Sequence, residues 1–148
     1  MRTEPAKHRR LERAPAANRP RGITALSVFF AAGFLIALTS AVSLLLPESF
    51  LEPMWQLNPR ARTAFSGMGM WAPALLGVVS VACAAASLGL WRGRRWGYRI
   101  GTGLLIVNLI GDVANVALGT EPRAIVGIPI VALLLFYLSR PGVRACFE

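Results

Sequence analysis

Histidine is nearly missing from this chain: His8, the only one, stands in a basic, proline-rich stretch ahead of the first apolar run. A buried histidine base and a histidine-bound metal are therefore not expected, and no cofactor is implied. Cysteine is scarce as well. Cys83 lies inside an apolar run and Cys146 far from it in sequence, without the close spacing of a zinc or redox pair. No strand pattern occurs, and no glycine-rich phosphate loop follows one. Serines within the apolar runs have no neighbouring base, so none is an activated nucleophile. These shortages argue against an enzyme.

Charge is missing from long windows. Ile23 to Leu46, Ala72 to Trp91 and Ala124 to Ser139 carry none, and Ile100 to Thr120 carries only Asp112. A soluble domain spreads its charges over every element; here they are segregated, and 55% of the chain is apolar. A helix crosses a bilayer with roughly 20 apolar residues. The expected fold is an all-α integral membrane bundle of four transmembrane helices, with spans at about 23–46, 71–91, 97–119 and 122–139. The last reaches about 27 Å at 1.5 Å per residue, slightly under a ~30 Å hydrocarbon core. Residues 22–139 make the membrane domain. Residues 1–21, rich in Arg, Pro and Ala, read as a disordered tail, and 140–148 as a short second tail. In the loop 47–70, Phe50, Leu51, Met54, Trp55 and Leu57 alternate with polar groups. That is an amphipathic interfacial segment with Trp55 as anchor, or alternatively a lid over a substrate. Asn58-Pro59 fits a cap and first residue of a further short helix.

What the chain has in excess is arginine. Sixteen Lys and Arg stand against seven Asp and Glu. Seven precede the first span, four follow the second and two follow the fourth, against two and one in the intervening segments. Thirteen on one side against three on the other is the positive-inside pattern, so both termini are expected in the cytoplasm. The excess is a topology signal rather than a nucleic-acid footprint. Its partners are the lipid bilayer and, through Arg92, Arg94, Arg95 and Arg99 in WRGRRWGYR, anionic lipids. That arginine turn is a headgroup-binding candidate or simply an anchor.

Between Trp96 and Gly119 lies the one charge inside any apolar run. At about 100° per residue, Asn108, Asp112 and Asn115 share a face. Ser40 of the first span falls at a similar depth and completes a candidate intramembrane polar cluster. A polar stripe of this kind turns toward protein rather than lipid, which makes the third span the expected hub. The cluster either fixes helix register or lets Asp112 couple proton or cation movement. Small residues line two further faces: Gly33, Ala37, Ser40 and Ala41 in the first span, and Pro73, Gly77, Ser80, Ala84 and Ser87 in the second, with Leu75, Val79, Ala82 and Ala86 behind. Pro129 predicts a kink in the fourth.

GLWRGRRWGYRIGTGLL in mid-chain and YLSRPGVRACF toward the end are similar to stretches in a loosely defined set of small bacterial four-span integral membrane proteins of uncharacterised role. The resemblance implies a cytoplasmic (inner) membrane location and brings no catalytic or ligand residue. The expected function is structural or accessory and non-enzymatic. The alternative is a small transporter or channel subunit, acting as a homo-oligomer or with a membrane partner protein, because four short spans enclose little pathway alone. Topology is directly testable: alkaline phosphatase fused after Glu148 should be inactive, and fused within 60–64 active. Activity at Glu148 overturns the N-in/C-in scheme.

Overall fold

The computed structural model describes residues 21–46 and 49–147, so all of the tail read over 1–21 except Arg21, which begins the first helix, lies outside the described residues. Among them there is no strand. Helix α1 spans Arg21–Leu45, α2 Pro59–Gly67, α3 Trp71–Trp91, α4 Arg95–Ala117, α5 Ala124–Ser139 and α6 Pro141–Arg144, with 3₁₀ turns at Glu52–Leu57 and Ala145–Phe147. Helices α1, α3 and α4, of 25, 21 and 23 residues, are long and apolar enough to cross a membrane. At 16 residues α5 reaches about 24 Å. It makes a fourth such helix only when taken with Pro141–Phe147, from which it is bent by 69°.

The cause of that bend is local. A residue before proline is pushed out of the helical region, and Arg140 is extended at φ −61°, ψ 134°. Helix α5 therefore stops at Ser139, and Pro141 starts α6 in the first-turn position that proline tolerates. Pro129, by contrast, sits inside an unbroken α5. The 69° bend lies at Arg140–Pro141.

Helices α3 and α4 are joined by a tight reversal. Gly93 takes φ +64°, a left-handed conformation that favours glycine. Its amide bonds the carbonyl of Leu90 at 3.1 Å while Arg94 N–H bonds that of Gly89 at 2.8 Å, a Schellman closure. Gly119, at φ +67°, ends α4 in the same way, with Thr120 N–H on the Asn115 carbonyl. Immediately beyond the first reversal, the backbones of Gly89 and Gly97 lie against each other; a Cβ on either would fall onto the other's main chain.

Helix α1 packs most extensively on α3, α3 on α4, and α4 on α5. The α1–α3 contact uses small residues, with Ala37, Ser40 and Ala41 buried on one side and Ala72, Pro73 and Ser80 on the other. Two hydroxyls tie the pair: Ser87 Oγ donates to the Ser27 carbonyl at 2.8 Å and Ser80 Oγ to that of Phe34 at 3.3 Å. The core gathers at the arginine-rich end, where Ile23, Leu26, Phe30, Ala86, Leu90, Leu105, Leu138, Val143 and Phe147 are buried together. Ala86, expected behind the small-residue face of α3, is fully buried within this core.

The segment 49–70 caps the opposite end. Trp55 is buried, its indole N–H donates to Ser43 Oγ at 2.9 Å, and its ring meets Phe65 edge-on. Asn58 caps α2 by accepting from Ala61 N–H, and Arg62 pairs with Glu52. The glycine contact yields a prediction. Gly89→Ala or Gly97→Ala should force α3 and α4 apart at a cost of about 1–3 kcal/mol. Gly103→Ala, which meets open space, should be neutral in the same detergent melting experiment.

Candidate functional site

Two places carry the polar chemistry, one at each end of α4. At the arginine-rich end, the first turns of α4 present Arg95, Tyr98 and Arg99, and the bend at Arg140 swings Arg144 and Phe147 back beside them. These five line a cavity of about 310 Å³, three of them arginines. Apolar residues at i and i+4 fold the last segment inward: Val143 and Phe147 are both buried, so residues 140–147, expected as a tail, belong to the packed structure. Arg95 Nε donates to the Phe147 carbonyl at 3.0 Å. The Tyr98 and Phe147 rings lie 5.2 Å apart, and Tyr98 hydroxyl donates to the Leu138 carbonyl at 3.2 Å.

Of the four arginines grouped from the sequence, Arg95 and Arg99 reach this cavity. Arg92 and Arg94 are exposed outside its lining, since they belong to the reversal itself. Arg144 is the residue that sequence reasoning missed. The signal was present in Pro141 as a helix start followed by the Val143–Phe147 spacing, which returns the segment to the bundle. Arg140 is held elsewhere, 5.4 Å over the Phe136 ring. Converging guanidinium groups favour an anion, and planar forks match phosphate oxygens in pairs. The uncapped start of α4 adds the positive end of its dipole.

At the other end of α4, Asn108 Nδ2 donates to Asp112 Oδ2 at 3.2 Å. Asp112 is half-buried, its carboxylate lying against Gly127 of α5. Asn115 closes the next turn, accepting from Thr120 Oγ1 at 2.9 Å. Ser40 is buried on α1, and no hydrogen bond joins it to this trio. The structure thus brings Asn108 and Asp112 together, gives Asn115 to its turn and leaves Ser40 with the α1–α3 pair. The reason is visible in α4, whose buried residues are Gly97, Gly101 and Leu105, all in its basic half. Past Leu105 the helix leaves the small-residue face that α1 and α3 share. An apolar cleft of about 290 Å³ opens there, floored by Phe30 and Cys83, with Asn108 as its polar edge.

Among the described residues no group of three or more His, Cys, Asp or Glu is placed to hold a metal ion. The carboxylate of Asp112 can accept hydrogen bonds, and when protonated it can donate one. Comparison with family models, with curated proteins and with solved structures gives no match to this chain.

The Asp112–Gly127 contact is testable by a double-mutant cycle. Gly127→Ala should push the carboxylate aside and lower stability by about 1–3 kcal/mol. In an Asp112→Ala background the same change should cost much less, as read from detergent melting. Asp112→Leu, which strips Asn108 of its acceptor, should destabilise more than Asp112→Asn.

Proposed function

We propose that this chain is a non-enzymatic, multi-pass protein of a bacterial cytoplasmic membrane, structural or accessory in role, that engages an anionic lipid headgroup on the cytoplasmic face. The observation that carries this is the convergence of Arg95, Arg99 and Arg144 on one cavity at the end where α4 begins. On the positive-inside pattern that end faces the cytoplasm, with both termini on the same side, and anionic lipids draw basic groups to that surface. Tyr98 and Phe147 give the cavity an aromatic wall beside the apolar region, suited to the glycerol portion of a lipid whose phosphate meets the arginines. The three long apolar helices and the bent α5–α6 pair support a four-span arrangement.

A second reading rests on a different observation. A carboxylate half-buried in an apolar helix and bonded to Asn108 is costly in a membrane, and such groups mark proton or cation pathways. In that reading the chain is a subunit of a small oligomeric transporter or channel, with Asp112 as the coupling residue. Proteoliposomes separate the two: pH-driven flux that Asp112→Asn abolishes, with folding intact, favours transport.

The lipid reading makes its own prediction. Near an anionic surface each arginine contributes about 1 kcal/mol, so Arg95→Gln, Arg99→Gln and Arg144→Gln together should weaken retention of phosphatidylglycerol on the order of a hundredfold. Native mass spectrometry of lipid-bound protein reads this. Arg92→Gln with Arg94→Gln should have a much smaller effect. Equal retention by the triple variant overturns the proposal.

A further inference from the structure

One seam of α4 is only half used. Gly97, Gly101, Leu104, Asn108, Gly111, Asn115 and Leu118 recur at alternating steps of four and three, the spacing of a left-handed coiled-coil seam. Its first part is filled within the chain: Gly97 lies on the backbone of Gly89, and Gly101 meets the Phe30 ring. From Asn108 onward the seam is open. Asn108, Gly111, Asn115 and Leu118 are all exposed, Leu118 at 77%, and a Cβ at Gly111 would meet nothing within 4 Å.

The two amides on this seam are only partly satisfied. Asn108 donates one amide hydrogen to Asp112, which leaves its carbonyl and the second hydrogen free. Asn115 accepts from Thr120, which leaves both amide hydrogens free. In hydrocarbon such groups need partners, because no water is present to supply them. This step rests on reading α4 as a membrane-crossing helix.

We propose that a second copy of this chain covers the open seam, its α4 lying parallel to the first about a two-fold axis along the membrane normal. The occupant follows from the chemistry. An asparagine side chain is both donor and acceptor, so at a two-fold axis Asn108 pairs with Asn108 of the partner subunit, and Asn115 with Asn115 of the partner subunit. The seam is complementary to itself. Gly111, midway between them, lets the two backbones approach. The basic segments orient both copies alike, which makes the pairing parallel and the axis normal to the membrane. The new contact also continues the seam that Gly97 and Gly101 already fill inside each chain.

Single cysteines in a Cys83→Ala, Cys146→Ser background, oxidised in liposomes of the purified protein, test this pairing. Gly111→Cys and Leu118→Cys should give disulfide-linked dimers. Ile106→Cys and Val113→Cys, on the opposite side of α4, should not. Single-molecule photobleaching should show two steps for the native chain. Each of Asn108→Leu and Asn115→Leu should weaken the dimer about fivefold, as for intramembrane hydrogen bonds generally. A Cβ at Gly111 meets nothing within 4 Å in its own chain, so the Gly111→Leu monomer should fold and melt normally while the dimer is lost. One-step bleaching of the native chain at every protein density overturns the proposal, as do equal cross-links on both sides of α4. The alkaline phosphatase fusions report the membrane orientation separately, so a failed pairing and a failed membrane reading are distinguishable.

Discussion

Gly89 and Gly97 touch backbone to backbone, and the placement of the other helices follows from that contact. Helices in lipid gain little from the hydrophobic effect against one another, so close approach and dispersion must hold them. Two glycines opposite each other permit the closest approach available. The Gly93 reversal makes the contact local in sequence, since only the turn separates the two partners. It brings α4 against α3 at one end, and Phe30 of α1 then closes over Gly101. Leu90 and Leu105, the large buried side chains of this hairpin, meet Ile23, Leu26, Leu138 and Phe147 in the same cluster. The core therefore forms where the hairpin is tightest.

That placement divides the polar chemistry between two surroundings. Close to the glycine contact, the arginines cannot enter the core, and they ring it. The returning C-terminal segment adds Arg144 to them and offers the Phe147 carbonyl to Arg95. Away from it, α4 runs past its last buried residue, Leu105. Asp112 finds Asn108 on its own helix and Gly127 on α5, but nothing on α1. A packed, cationic end and an open, amide-lined end are consequences of one crossing point. The lipid proposal draws on the first and the dimer on the second.

The long helices were legible in the sequence because a charge-free window of about 20 residues has few alternatives in water. The small-residue face of α1 was legible for a related reason: Ala37, Ser40 and Ala41 repeat at helical spacing, and they pack on α3. What could not be read was pairing between distant segments. Ser40 and Asp112 share a depth along their helices, yet depth says nothing of azimuth or of which neighbour a helix keeps. The bond from the Trp55 indole to the Ser43 hydroxyl of α1 is likewise a contact that local sequence does not show. The packing of the C-terminal segment is another such long-range contact. Pro141 starts α6, and Val143 and Phe147 are buried against the bundle.

The same comparison explains why the two amides of α4 are informative. An asparagine exposed on a soluble helix is unremarkable, because water satisfies it. On an apolar helix the cost depends on depth: Asn115 lies beside the closing turn, where Thr120 already serves it, and Asn108 lies nearer the middle of α4. Asn108 also edges the cleft lined by Phe30 and Cys83. Cores can absorb an apolar void by slight repacking, but an unpaired amide in hydrocarbon has no such relief. A helix whose seam is filled at Gly97 and Gly101 and bare at Asn108 and Asn115 is therefore incomplete by itself in a bilayer. In a bilayer the physical demand would fall on the polar residues, and not on the larger apolar surface around them, which lipid would cover at no cost.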